Sequence, residues 1–458
     1  MRLRPLALAA CLALGVGTSA WAQTPTGAAP LQLTSSQSAT LESLSTGAGL
    51  SLTTRGIASG LQLGEGAILH AAIIADMGYD TNVFYSSSSA AKSAPVLNIT
   101  PRLELTNAMR DGSTPSGTYY DLVAAVDFLE FLSNDSQPGG VTSQDAIDPT
   151  VSGTAVFSPG QELSLTLNES FTRYRQAPYE EGGAPIVRDD NMASASLALA
   201  PGGGRLRLTL RYTNLIDKYE GSYSFGSNMG NEGVLDIGWR WLPKTSLYVQ
   251  IAQGAITYFN PGANNFGAQD VSSYPLRTLA GLRGLLTDKL SVNLAAGYNN
   301  AFYASGASSP SGFGHLGGLA EINYTISLLS RVGVGYHHDF VNSPFLGGYY
   351  NMDAVYGAYQ QMVASRLFTY LYARFEDRRY GPVLETGQPA NVSTSYINDR
   401  TDENFILGAA LDYMIGKFLL LGASYSLNLN RTVSGADPVS GGLNYTTQVV
   451  LGRIGAVY

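Results

Sequence analysis

Apolar and polar residues alternate one by one through much of this chain. Between Arg205 and Tyr212, Arg205, Arg207, Thr209 and Arg211 fall on one side, and Leu206, Leu208, Leu210 and Tyr212 on the other. From Leu290 to Asn299, Leu290, Val292, Leu294, Ala296 and Tyr298 oppose Ser291, Asn293 and Asn299. The same period of two runs through Leu97–Thr106 and Leu419–Asn430. Such alternation is the mark of β-strands, whose successive side chains point to opposite faces. Strands of soluble sandwiches are about 5 or 6 residues long. These runs reach 8 to 12, the length that a tilted strand needs to cross a bilayer. No apolar run approaches the roughly 20 residues of a transmembrane helix.

Connections sharpen the picture. Tight turns are predicted at Ser158–Gly160, Pro201–Gly204, Pro243–Lys244, Asp288–Lys289, Leu329–Ser330, Ala364–Ser365 and Ile415–Gly416. Longer polar segments fall between them, at Gln176–Asp189, Glu220–Ser227, Asn260–Ser273, Ala304–Gly312, Asn342–Gly348 and Gly381–Thr401. Strict alternation of short and long connections is the habit of outer-membrane β-barrels. Strands are predicted near 66–79, 95–106, 117–130, 150–158, 161–174, 190–200, 204–219, 229–242, 245–259, 274–286, 289–303, 314–327, 331–342, 350–363, 366–379, 402–414, 417–431 and 443–458. The expected fold is therefore all-β: a transmembrane antiparallel up-and-down barrel of about 18 strands, with both chain ends in the periplasm. Trp239 and Trp241, together with Tyr174, Tyr219, Tyr258, Tyr303 and Phe340 near the loop ends, are the expected interfacial girdles. Tyr458 closes the last amphipathic strand as barrel-insertion machinery would require.

Composition adds constraints. Charged residues make up 14% of the 458, and 52 are Gly and 28 Tyr, which suits strands joined by Gly-rich turns. The net charge of −8 and pI near 5.1 argue against a nucleic-acid partner. Residues 1–22 read as a signal peptide: a basic start, an apolar stretch from Leu6 to Val16, and Ala20-Trp21-Ala22 as cleavage site. The alternative, a lipoprotein box ending at Cys11, uses the only cysteine of the chain. Residues 23–65, rich in Ser, Thr, Gly and Ala, are assigned to a periplasmic N-terminal arm and 66–458 to the barrel. The location predicted from all this is the Gram-negative cell outer membrane, in contact with lipid bilayer and lipopolysaccharide.

One stretch is more specific. Gly56–Tyr85, and within it Gly78-Tyr79-Asp80-x-Asn82-Val83-Phe84, resembles the opening of outer-membrane porins associated with exopolysaccharide export. Arg400-x-Asp402 leading into Leu407–Tyr413, Gly422-Ala423-Ser424-Tyr425, and the ending Tyr445–Tyr458 are similar to the same group. The resemblance covers the first strand and the last three. It implies an 18-stranded channel for a secreted polysaccharide cargo, and a periplasmic polysaccharide-export protein as partner. A general diffusion porin for small solutes is the alternative. Read on its own, Asp80-x-Asn82 is a side-chain-capped turn or a contact for calcium or polymer.

The inward face is the remaining chemistry. Alternation places Arg102, Glu104, Asp121, Asp127, Arg205, Arg207, Arg211, Asp236, Arg240, Arg277, Arg283, Glu321, Arg374, Glu376, Arg378 and Arg453 there, with Tyr370 and Tyr372 on the face of Arg374. Mixed charge and Tyr suit a hydrated sugar chain, yet any water-filled barrel is polar inside. Arg205, Arg207 and Arg211 form a ladder with no acid on its face. It either attracts anionic polymer or pairs with carboxylates elsewhere on the wall. His337-His338-Asp339 is the one histidine cluster, split between two faces, and Arg173 and Arg175 with Asp189 and Asp190 read as loop salt bridges or lipopolysaccharide contacts. No nucleophile-elbow, zinc-protease, P-loop or EF-hand pattern occurs, so no enzyme activity, metal or cofactor is predicted.

Overall fold

A computed structural model describes residues 60–64, 66–107, 117–135, 139–176, 186–259, 272–303, 313–327, 329–343, 348–364, 366–380, 400–434 and 444–458. Among them are nineteen strands: β1 (Leu61–Leu63), β2 (Ala67–Asp80), β3 (Ala94–Thr106), β4 (Thr118–Phe131), β5 (Ala146–Phe157), β6 (Leu163–Gln176), β7 (Ile186–Leu199), β8 (Leu206–Tyr219), β9 (Asn228–Leu242), β10 (Thr245–Tyr258), β11 (Ser273–Leu285), β12 (Leu290–Tyr303), β13 (Phe313–Ser327), β14 (Ser330–Ser343), β15 (Gly348–Val363), β16 (Leu367–Tyr380), β17 (Thr401–Ile415), β18 (Leu419–Ser434) and β19 (Tyr445–Val457). From β2 onward each strand pairs antiparallel with the next, and β19 returns to β2 through Val449↔Asp80 to Val457↔Ala72. The result is a closed antiparallel barrel of eighteen strands with no free edge around its circumference. Closure satisfies the backbone N–H and C=O groups within the sheet, which is what a wall facing hydrocarbon requires.

The remaining strand, β1, continues the edge where β19 stops. Tyr458 exchanges two backbone bonds with Ala71, and below it Leu61↔Leu69 and Leu63↔Ala67 carry the pairing on. The first part of the arm and the signal peptide lie outside the described residues, as does the long segment Gly381–Asp399. Two boundaries differ from expectation by four residues. Strand β5 begins at Ala146 rather than 150, because Pro149 sits within it, opposite Val126, and its missing N–H masks a continuing ladder. Strand β7 begins at Ile186 rather than 190, because Arg188, Asp189 and Asp190 look like loop but are ladder residues facing Tyr219, Lys218 and Asp217.

Alternation resolves into two faces. Side chains from strands two apart touch only on the concave side, as Arg283 of β11 and Asp236 of β9 do, so that parity is inward. The opposite parity is apolar and open: Leu206, Leu210 and Tyr212 on β8, and Leu235, Ile237, Trp239 and Trp241 on β9, are all exposed. Trp239, Trp241, Tyr324, Tyr413 and Tyr458 form an exposed aromatic ring toward the short-turn end. At the loop end Tyr79, Phe128, Phe259, Tyr274 and Phe302 are exposed. The expected girdle of Tyr219, Tyr258 and Phe340 is corrected: all three are buried, at 2%, 7% and 2% exposure, on the inner side of the wall, where they pack on polar neighbours. Tyr303 is half-buried and likewise packs inside, against Tyr349.

Candidate functional site

The Gly78–Phe84 motif forms the seam between the first and last wall strands. A Cβ at Gly78 would lie 1.7 Å from the Val450 carbonyl oxygen, so only glycine lets β2 and β19 meet there. Asp80 Oδ1 accepts the Asn82 N–H at 2.8 Å, a side-chain-capped turn. The Asn82 amide donates to Ser86 O at 2.7 Å and Thr446 O at 3.2 Å, and its oxygen accepts from Ser86 N at 3.0 Å. Val83 turns back into the wall and packs with Val96, Phe131, Val141 and Leu451. Lower on the seam, Arg453 Nε donates to Asp76 at 2.7 Å, and its Nη1 stands 3.5 Å from Asp412. The residues that carry the family resemblance thus fasten the ends of the sheet.

Most predicted lumen charges face inward but are locked in pairs. Glu376 is shared by Arg374 and Arg378, with Arg378 Nε at 2.8 Å. Arg400 binds Asp402 and lies 4.6 Å from the Tyr380 ring, while Arg378 faces Tyr350. Asp236 takes both terminal nitrogens of Arg283, at 2.6 and 2.9 Å. Arg102 reaches Glu104 at 3.4 Å. Asp127 accepts from Thr100 and Asn98, and Glu321 from Tyr356 and Asn293. Asp121 is half-buried with its own partner. Burial is near complete: Asp236 is 1% exposed, Glu104 1%, Arg378 2%. Desolvated charges are tolerated only in such compensated sets. Tyr370 and Tyr372 lie inward beside this cluster, half-buried. Arg240 has a different role from that expected: it is exposed and donates to the carbonyls of Gly203 and Gly204, at 2.9 and 2.7 Å, bracing the β7–β8 turn.

The wall also folds into its own lumen. Pairing of β13 with β14 ends at Gly318↔His338, whereas β14 stays paired with β15 up to Ser343↔Gly348. The freed end leans across the inner face of β10–β12. Arg277 Nε donates to Asp339 at 2.9 Å and its Nη2 to Phe340 O at 3.0 Å. Asn299 donates to Asp339 at 2.8 Å, and Asn342 to the Tyr258 hydroxyl at 2.7 Å. The Tyr303 and Tyr349 rings stack at 6.1 Å. This lean narrows the lumen on that side. It also separates the histidines: His338 binds Asp353 at 2.7 Å, while His337 stands 3.9 Å from Asp339. At the rim, Arg173 binds Asp189 and Glu220, as expected of it and Asp189, and Arg188 joins Asp190 and Asp217. The side chain of Arg175, like that of Tyr174, lies outside the described set.

Arg207 and Arg211 stand apart. Arg207 Nε and Arg211 Nε and Nη2 are buried N–H groups without a hydrogen-bond partner. Neither guanidinium pairs with a carboxylate among the described residues, because the nearby Asp236 is held by Arg283. Their cross-strand neighbours are Gly238 for Arg207, and Ser196 and Val234 for Arg211, none of which carries a compensating charge. Arg205 sits in the turn before β8 rather than on the strand, and is exposed.

No protein-family model matches this chain, and no curated relative does. Several solved structures align with most of it at low similarity. OccAB3 of Acinetobacter baumannii aligns over 85% of this chain and 99% of its own, at 12% identity and a TM-score of 0.42. OccK3 (OpdO) of Pseudomonas aeruginosa aligns over 85% and 95%, at 12% identity and 0.41. The alcaligin outer membrane receptor FauA of Bordetella pertussis aligns over 87% and 76%, at 12% identity and 0.38. Likeness at this level carries no argument about fold or cargo.

Proposed function

We propose that this protein is a passive channel of the Gram-negative outer membrane that admits hydrophilic solutes. The observation that carries this reading is the inversion of the wall: a closed sheet, apolar and ringed with aromatics outside, charged and hydroxylated inside. A closed barrel leaves no backbone group unpaired toward lipid, and its polar interior suits water-borne cargo. Purified protein reconstituted into planar bilayers should give stepwise conductance. A correctly folded protein that never conducts would overturn the proposal.

Secreted polysaccharide is the second reading. What favours it is the hydroxyl-rich part of the inner wall with two uncommitted arginines, which offers weak, repeated contacts of the kind that conduction needs. The motif of the resemblance adds little to it, since those residues close the barrel instead of facing cargo. On this reading a periplasmic polysaccharide-export protein would be the partner. Deleting the gene and assaying surface polysaccharide separates the two readings: unchanged export leaves the diffusion channel standing.

A further inference from the structure

Burial is uneven around the barrel. On β2, β3, β9 and β10 the inward polar side chains are closed off, as at Asp76, Glu104, Asp236 and Gln250, each 1% exposed. Among the described side chains of β5 and β6 none is buried. Apart from Asp148 near the loop end of β5, their inward positions between Thr150 and Thr172 carry uncharged groups. Thr154 donates to Asn168 at 3.0 Å, and Asn168 to Ser194 of β7 at 3.2 Å, a hydroxyl and amide row across three strands. Beside that row is β8, whose inward Thr209, Thr213 and Asp217 are at most 3% exposed, while Arg207 and Arg211 on the same face are half-buried.

We propose that the solute path is eccentric, running down the β5–β7 wall, and that Arg207 and Arg211, at its border on β8, make it a lane for anionic, hydroxyl-bearing solutes such as sugar acids. This rests on the channel reading above and names the substrate class of that channel.

The argument is one of elimination and charge. Of the other inward guanidiniums, most are spent: Arg188 on Asp217, Arg277 on Asp339, Arg374 and Arg378 on Glu376, Arg400 on Asp402; Arg331, held by the neutral Gln360 at 2.8 Å, keeps its charge but lies on β14, away from that wall. A paired guanidinium has little field left for a passing ion. Arg207 and Arg211 retain theirs, four residues apart on one strand face, about 13 Å at the rise of a strand. Low-dielectric walls focus the field of such charges into the channel and raise the local concentration of the opposite sign. Their guanidinium nitrogens other than the buried Arg207 Nε and Arg211 Nε and Nη2 are the ones a passing carboxylate can meet, in the planar geometry that suits it. The adjoining Ser, Thr and Asn side chains exchange hydrogen bonds with hydroxyls. Two charges are too few to trap a solute, so passage stays quick.

Reversal potentials in planar bilayers test this, with potassium chloride and then potassium glucuronate in a gradient. Wild-type protein should prefer the anion in both salts. Arg207→Gln/Arg211→Gln should move the reversal potential toward cation preference, and Arg207→Lys/Arg211→Lys should keep the wild-type sign. Either a cation-preferring wild type or an unchanged reversal potential in the Gln variant at normal conductance overturns the lane. A wild-type protein that gives no channel defeats instead the reading on which the lane rests.

Discussion

Two arcs of the same wall use the same residue type in opposite ways. In the arc from β15 to β17, Arg374, Arg378 and Arg400 are each at most 5% exposed, and each is fastened to a carboxylate. In the arc from β5 to β8, Arg188 is fastened to Asp217 near the loop end in the same way, but Arg207 and Arg211 toward the short turns are half-buried and unpaired, with Thr, Ser and Asn around them. A buried guanidinium beside a carboxylate shapes the barrel. One without a partner keeps a field that cargo can feel. The side of the lumen that carries traffic is therefore read from what the charges lack rather than from where they point.

The comparison breaks most visibly at Glu376. Glu376→Gln leaves two buried guanidiniums facing one another without their shared anion, and should cost about 3–5 kcal/mol. Arg211→Gln removes an uncompensated charge and should leave stability unchanged or slightly raised. Urea titrations of protein folded into lipid vesicles measure both; equal losses would erase the distinction between the arcs.

Next in size is the outer face. Leu210 is 60% exposed beside Arg211. Leu210→Arg places a cation against hydrocarbon and should cost roughly 2–4 kcal/mol near the bilayer midplane. The same titration checks it, and a cost no greater than that of Arg211→Gln would mean that inside and outside are exchanged.

A smaller effect belongs to the leaning hairpin. Tyr258→Phe removes the acceptor of the Asn342 amide, which is 6% exposed with its residue, and should cost about 1–3 kcal/mol through the donor left unsatisfied. It should also widen the lumen on that side, seen as a rise in single-channel conductance. No change in either would show that the lean is held by other contacts alone.

The smallest effect lies at a short turn. Lys244 donates to Asp288 at 2.7 Å across two neighbouring turns, and holds the Asp288 carboxyl below its usual range. A depressed folded-state pKa gives stability that is present above the ordinary carboxyl range and fades as pH falls through the folded value. Because Asp288 is fully exposed, Asp288→Asn should barely alter the midpoint of acid unfolding. A large shift would place that turn among the elements that hold the barrel.

How much of this is legible in the sequence follows from the distance over which each feature is decided. Strand alternation is local, so the eighteen strands, their turns and the outward Leu210 and Trp239 can be read directly. Pairing of charges is not local. Arg283 and Asp236 are 47 positions apart, and Arg453 and Asp76 are 377 apart, so a face rich in arginine looks the same whether its charges are spent or free. Phe340 and Asn342 mislead for another reason. Their parity is outward, yet the strand leaves the wall at Gly318↔His338 and carries that face into the lumen. Asp80-x-Asn82 is readable as a capped turn, but its bond to Thr446 depends on barrel closure, which no local window contains.

The eccentric path is tested most directly by two single cysteines. Thr166 lies on the β5–β8 side and is half-exposed; Gln250, on β10, is 1% exposed. The chain's own cysteine, Cys11, falls in the predicted leader. Thr166→Cys and Gln250→Cys are to be treated, while conducting in a bilayer, with a charged, membrane-impermeant thiol reagent. The account predicts a stepwise fall in current for Thr166→Cys and none for Gln250→Cys. Block at Gln250→Cys with Thr166→Cys untouched would contradict it.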